Sequence, residues 1–184
     1  MSGLPPLPSW DGLHPLIVHF PIALLFVAPL FVILGIVLRH SRLFLWAALL
    51  LMAMGTAATF FAVSTGEAAG KLADRTPQIN AVLERHEELA ETTRIVFTAL
   101  TLVFAAIVVA PAAFRRLQGP AFRITLPLVF LLFYGAGVVV LTHTAHNGGR
   151  LVHELGVQAL MPPSPAAEPV AREAVRSLKE PGAP

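Results

Sequence analysis

Seven histidines and no cysteine, in a chain of 184 residues, leave imidazole as the side chain with the most chemistry to offer. Two of the histidines fall in Leu13-His14-Pro15-Leu16-Ile17-Val18-His19-Phe20-Pro21, at the mouth of a long apolar run. Pro15 suits a first helical turn, whereas Pro21 has no N–H for the carbonyl of Ile17 and leaves a freed acceptor beside His19. A second group, Thr142-His143-Thr144-Ala145-His146, is followed by Asn147-Gly148-Gly149-Arg150-Leu151-Val152-His153. His86 stands in a charged segment, and His40 stands among arginines. Neutral imidazole is a common metal ligand and a proton acceptor. Without a thiol, these residues exclude disulfides, thiolate metal centres, iron–sulfur clusters and covalently attached c-type haem, so any metal must be held by His or carboxylate.

The elements that carry these residues read as membrane helices. The chain is 55% hydrophobic and only 13% charged, with a mean hydropathy of +0.71, the composition of an integral membrane protein. Leu13 to Leu38 contains no charged residue and exceeds the roughly 20 residues needed to cross a bilayer. A second run, Leu43 to Thr65, carries Gly55, Ala58 and Ala62, small residues that let helix backbones approach closely. The short turn Arg39-His40-Ser41-Arg42 makes the two an antiparallel hairpin. Gly66–Arg75 reads as a polar loop and Thr76-Pro77 as a helix cap. Beyond it Ile79, Val82, Leu83, His86, Ala90, Thr93 and Phe97 recur at helical spacing, opposite Glu84, Arg85, Glu87, Glu88 and Glu91. A helix with His86 on its inward face therefore stands out of the membrane by about four turns before Ile95–Phe114 crosses it. The fourth span runs from Ile124 to about His143, and Gly148-Gly149 is expected to end its helix. The expected fold is all-α, an integral membrane four-helix bundle of up-down-up-down order with its third helix extended outside. Residues 1–12 form a surface arm, 13–158 the transmembrane domain, and 159–184 a proline-rich, mostly disordered tail.

Arg39, Arg42, Arg115, Arg116 and Arg123 occupy two short connections that hold no acid. The positive-inside rule puts those connections inside, with both termini and the Gly66–Arg94 segment outside. Six histidines then share the outer face, and His40 is left inside as a surface residue. Counted from the nearest inner arginine at about 1.5 Å per residue, His19 and His143 both lie roughly 30 Å up. His146 and His14 follow at roughly 34 and 37 Å, and His86 at roughly 43 Å.

Three chemistries fit imidazoles so arranged. A b-type haem needs two axial imidazoles at one height on different helices, an apolar slot, and cations near water for its propionates. His19 with His143 are the first choice by depth, His14 or His146 with His86 form the level above, and Arg85, Arg94 and Arg150 are available for propionates. A bare Zn or Cu site needs three or four converging His or carboxylate ligands, and His143 with His146, three apart, could begin one. In the third reading the imidazoles bond freed carbonyls such as that of Ile17 and hold the outer end of the bundle together. His146 and His153 are placed last among the outer histidines, both being close to the Gly-Gly helix end. Hydrolase motifs, a phosphate loop and paired intramembrane aspartates are absent from the sequence, which points away from an enzyme acting on its own. The net charge of +2 comes from scattered basic residues and gives no nucleic-acid surface.

His14-Pro15-x-x-Val18-His19-Phe20-Pro21, Thr65-Gly66, His86 and His146-x-Gly148-Gly149-x-Leu151-Val152 together resemble the bacterial membrane proteins of domain-of-unknown-function family 2231, over about residues 10 to 158. The closing segment departs from the pattern in carrying His153 where many members have an aromatic residue. Relatives of this type occur fused to cytochrome c or Rieske modules. The resemblance therefore implies a multi-pass protein of the bacterial inner membrane, set in its lipid bilayer as part of a redox complex. Its implied role is to move electrons between quinone, or a partner, and a periplasmic cytochrome. Single cysteines at Ser41, Ala73, Gln118 and Ser164 check the orientation. An impermeant thiol reagent should label the second and fourth in intact spheroplasts and miss the other two.

Overall fold

The computed structural model describes residues 8–38, 41–119 and 121–158. Most of the arm, Arg39, His40 and the tail lie outside the described residues. All regular structure among those described is helical. A 3₁₀ turn, Asp11–Leu13, leads into α1 (His14–Ile17), and after Val18 the chain continues as α2 (His19–Val37). Then come α3 (Ser41–Gly70), α4 (Pro77–Ala113), a 3₁₀ turn at Arg115–Leu117, a π turn at Ala121–Thr125, and α5 (Leu126–His153). With α1 and α2 taken as one span, four helical stretches are long and apolar enough to cross a membrane. Each packs against the next, and the ring closes between α2 and α5 through its thinnest contact.

The helices are apolar on both faces, as lipid requires. On α2, Leu25, Ala28 and Val32 are buried while Phe26, Leu30 and Ile33 are exposed. Close backbone approach does the work that hydrophobic contrast does in water. A Cβ on Gly55 would lie 2.8 Å from the side chain of Leu25, and one on Gly137 would lie 2.9 Å from Leu100. Aromatic rings fill the centre, with Phe97 edge-on to Tyr134 at 5.4 Å and Phe104 against Phe130 at 4.8 Å. Pro29 lies inside α2 and cannot bond the carbonyl of Leu25. The Tyr134 hydroxyl donates to that carbonyl at 2.7 Å, tying α5 to α2 in the middle of the bundle.

At the His14 end the helices run further than the sequence reading allows. Thr76 caps α4, its hydroxyl accepting from the Ile79 N–H at 3.2 Å, and the 37 residues that follow span roughly 55 Å, well beyond a hydrocarbon core. Two expectations need correction. The segment after Thr65 is not a loop from Gly66, because α3 continues to Gly70, and Gly148-Gly149 does not end α5, which continues to His153. In both places a glycine is a point of contact with a neighbouring side chain, not a break. The glycine that does terminate α5 is Gly156, at φ +68°, where the Leu155 and Val157 N–H groups return to the carbonyls of Arg150 and Leu151. Val82, Leu83 and Leu151 form a second small core there.

Removing the Tyr134 hydroxyl should cost about 1 kcal/mol, since it strands a buried carbonyl. Denaturation of Tyr134→Phe in mild detergent measures this. In a Pro29→Ala background, where the helix N–H is restored to Leu25, the same substitution should cost clearly less.

Candidate functional site

Two of the histidines meet inside the bundle. The rings of His14, from α1, and His86, from α4, are 6.5 Å apart between centroids and inclined at 79°. Each is anchored through Nδ1 to the adjacent helix. The Thr65 hydroxyl donates to the Phe61 carbonyl at 2.8 Å, so its oxygen accepts from His14 Nδ1 at 3.2 Å. His86 Nδ1 donates to the carbonyl of Thr144 at 3.0 Å. Thr144 is itself fixed, its hydroxyl meeting that of Thr93 at 2.8 Å. Both rings thus carry the proton on Nδ1, and in the neutral form each Nε2 presents a lone pair. The His14 ring is also hydrogen-bonded by the backbone of Ala62.

Room for the rings comes from glycine. A Cβ on Gly66 would stand 2.9 Å from His14 Cε1, and one on Gly148 would stand 3.0 Å from His86 Cε1. Each imidazole therefore rests against the bare backbone of the helix beside it, α3 for His14 and α5 for His86. Thr65-Gly66 and Thr144 with Gly148 supply the anchor and the seat in each case.

The pair stands between two cavities. An outer one of about 410 Å³ is lined by Asp11, Glu67, Glu87, Glu88 and Glu91, and an inner one of about 350 Å³ by Val18, Ile22, Thr59 and Leu141 among others. His14, His86 and Gly148 line both. Neither lining includes a lysine or arginine.

The other candidates lie elsewhere. His19 is exposed and borders the inner cavity, as does His153. His143 and His146 are exposed and border neither cavity, because the inward positions on that face of α5 are Leu141, Thr144 and Asn147. His19 and His143 are therefore not directed into a shared cavity. The acceptors used by the paired rings belong to Thr65 and Thr144, not to Ile17. Arg85 pairs with Glu88, Arg94 with Glu91 and Arg150 with Glu154, each on or next to its own helix, and Arg94 also lies over the ring of Phe60 at 5.2 Å. No group of three or more His, Asp or Glu among the described residues is placed to hold a metal ion. The threonine anchors and glycine seats escape a reading by depth. Their signal in the sequence is a Thr beside or near a Gly at the top of two different spans.

A family model described as "Predicted membrane protein (DUF2231)" matches residues 11–160. No curated protein and no solved structure matches the chain.

Glycine seats make a graded test. Gly66→Ala and Gly148→Ala should each destabilise the protein in detergent by about 1–3 kcal/mol through overpacking against a ring. Gly149→Ala, with nothing within 4 Å of the added methyl, should not.

Proposed function

Because the chain belongs to the DUF2231 family of predicted membrane proteins, we propose that it is a redox component of the bacterial inner membrane that holds b-type haem between His14 and His86. The observation that carries this reading is the imidazole pair itself. The ring centres stand 6.5 Å apart, so His14 and His86 are the residues that would hold such a group between them. Among the described residues two imidazoles converge, and iron in a macrocycle is a metal that asks just two ligands of the protein. A bare Zn or Cu ion asks for three or four. Each Nδ1–H is already given to an oxygen, the arrangement that fixes a metal-binding histidine in its tautomer and orientation. One-electron transfer is the chemistry such a group supplies when bound.

Propionates would find no arginine here, since Arg85, Arg94 and Arg150 border neither cavity and the outer one carries carboxylates. That favours a second reading, in which His14 and His86 join helices or bind a metal other than haem iron. Exposed Arg42, Arg116 and Arg123 at the opposite end support a periplasmic position for the imidazole pair, by the positive-inside rule.

Absorption of the full chain, purified from haem-supplied cells, decides between the readings. A Soret band with sharp α and β bands on dithionite reduction is expected. It should vanish in His14→Ala and in His86→Ala and persist in His143→Ala and His146→Ala. Colourless wild-type protein, or a spectrum unchanged in both of the first two variants, would overturn the proposal.

A further inference from the structure

The inner cavity has a side door. Five of its lining residues are exposed, namely Pro15, His19, Ala145, Val152 and His153, and all five belong to the first or the last helical span. The contributions from α3 and α4, such as Thr59, Ala62 and Thr93, are buried or half-buried. The cavity therefore opens along the seam where the ring of helices closes most thinly, between α1–α2 and α5. In a bilayer that seam faces lipid, near the end of the apolar run and not in the middle of it. Access is thus sideways, from the membrane.

The lining says what would enter. It is largely apolar and includes no lysine, arginine, aspartate or glutamate, so a phospholipid phosphate finds no fixed cation and an inorganic cation finds no carboxylate. Its polar groups are imidazoles and threonine hydroxyls, with His19 on one lip of the opening and His153 on the other. A lipid-soluble molecule with a flat ring and an oxygen at either end matches this. The ring replaces lipid against Val18, Ile22 and Leu141, the oxygens meet imidazoles, and the chain stays in the bilayer.

We infer that the side opening between α1–α2 and α5 is a binding site for the head of a para-quinone or its quinol, with His19 and His153 as its hydrogen-bonding lips. The redox reading gives the site its purpose: the mouth is built from the first and last spans, and His14 and His86 also line the cavity behind it.

The test uses the full chain in phosphatidylcholine nanodiscs and an azido-substituted para-benzoquinone with a decyl tail. Illumination should label peptides containing His19 and Val152-His153, and unlabelled decyl-para-benzoquinone should displace the probe while excess phosphatidylglycerol does not. His19→Phe combined with His153→Phe, both at exposed positions, should lower labelling about tenfold, the equivalent of one or two lost hydrogen bonds. Labelling spread over the lipid faces of all four spans, displacement by phosphatidylglycerol, or full labelling of the double variant would overturn the assignment. Colourless protein that labels as expected would remove the haem reading and leave this one standing.

Discussion

An imidazole inside a helical bundle must give its N–H to an oxygen and find space for a planar ring between two backbones. The upper half of this protein is arranged around meeting that demand twice. His14 and His86 each take an oxygen at Thr65 or Thr144 and lean on Gly66 or Gly148. Because anchor and seat come from the neighbouring helix, each ring also fixes one helix against the next: α1 to α3, and α4 to α5. The same contacts explain why α3 and α5 stay helical past their glycines. A regular backbone, bare of Cβ at one position, is what the ring packs against.

The two cavities on either side of the pair differ in what they meet. The outer one has exposed carboxylates at Glu67, Glu87 and Glu88, and the inner one carries no acid or fixed cation and opens toward lipid. A group held at the pair would sit where an aqueous, acidic space and an apolar one come within a ring's width of each other.

Much of the fold was legible because a bilayer imposes length and apolarity on its spans. The four long apolar helices, the packing of the first span on the second, the Thr76 cap and the inward face of α4 through Val82, His86 and Phe97 all followed from spacing and composition. Counting residues ranks the histidines by height along the spans, but height alone does not say which of them meet. Their azimuth was not legible. In a soluble helix the polar face tells which way a residue points, but α2 and α5 are apolar all round, so nothing in the local pattern distinguishes His143, which faces out, from Thr144, which faces in. Pro29 was hidden for a related reason. A proline in an apolar run reads as a mere kink until the partner for its freed carbonyl, Tyr134 more than a hundred residues away, is located.

That tyrosine has a mechanical consequence. The seam between the first and last spans is riveted at mid-depth by the Tyr134 hydroxyl on the Leu25 carbonyl, and above the rivet α1 has scarcely any packing on α5. Leverage follows from this layout. Above the fixed point His14 ties the first span to α3 through Thr65, and Thr144 ties the last span to α4 through His86 and Thr93, so the tops of the two spans can part without breaking those bonds only if each carries its partner helix with it. The layout is that of a clothes peg with its spring at Tyr134 and each jaw made of two helices.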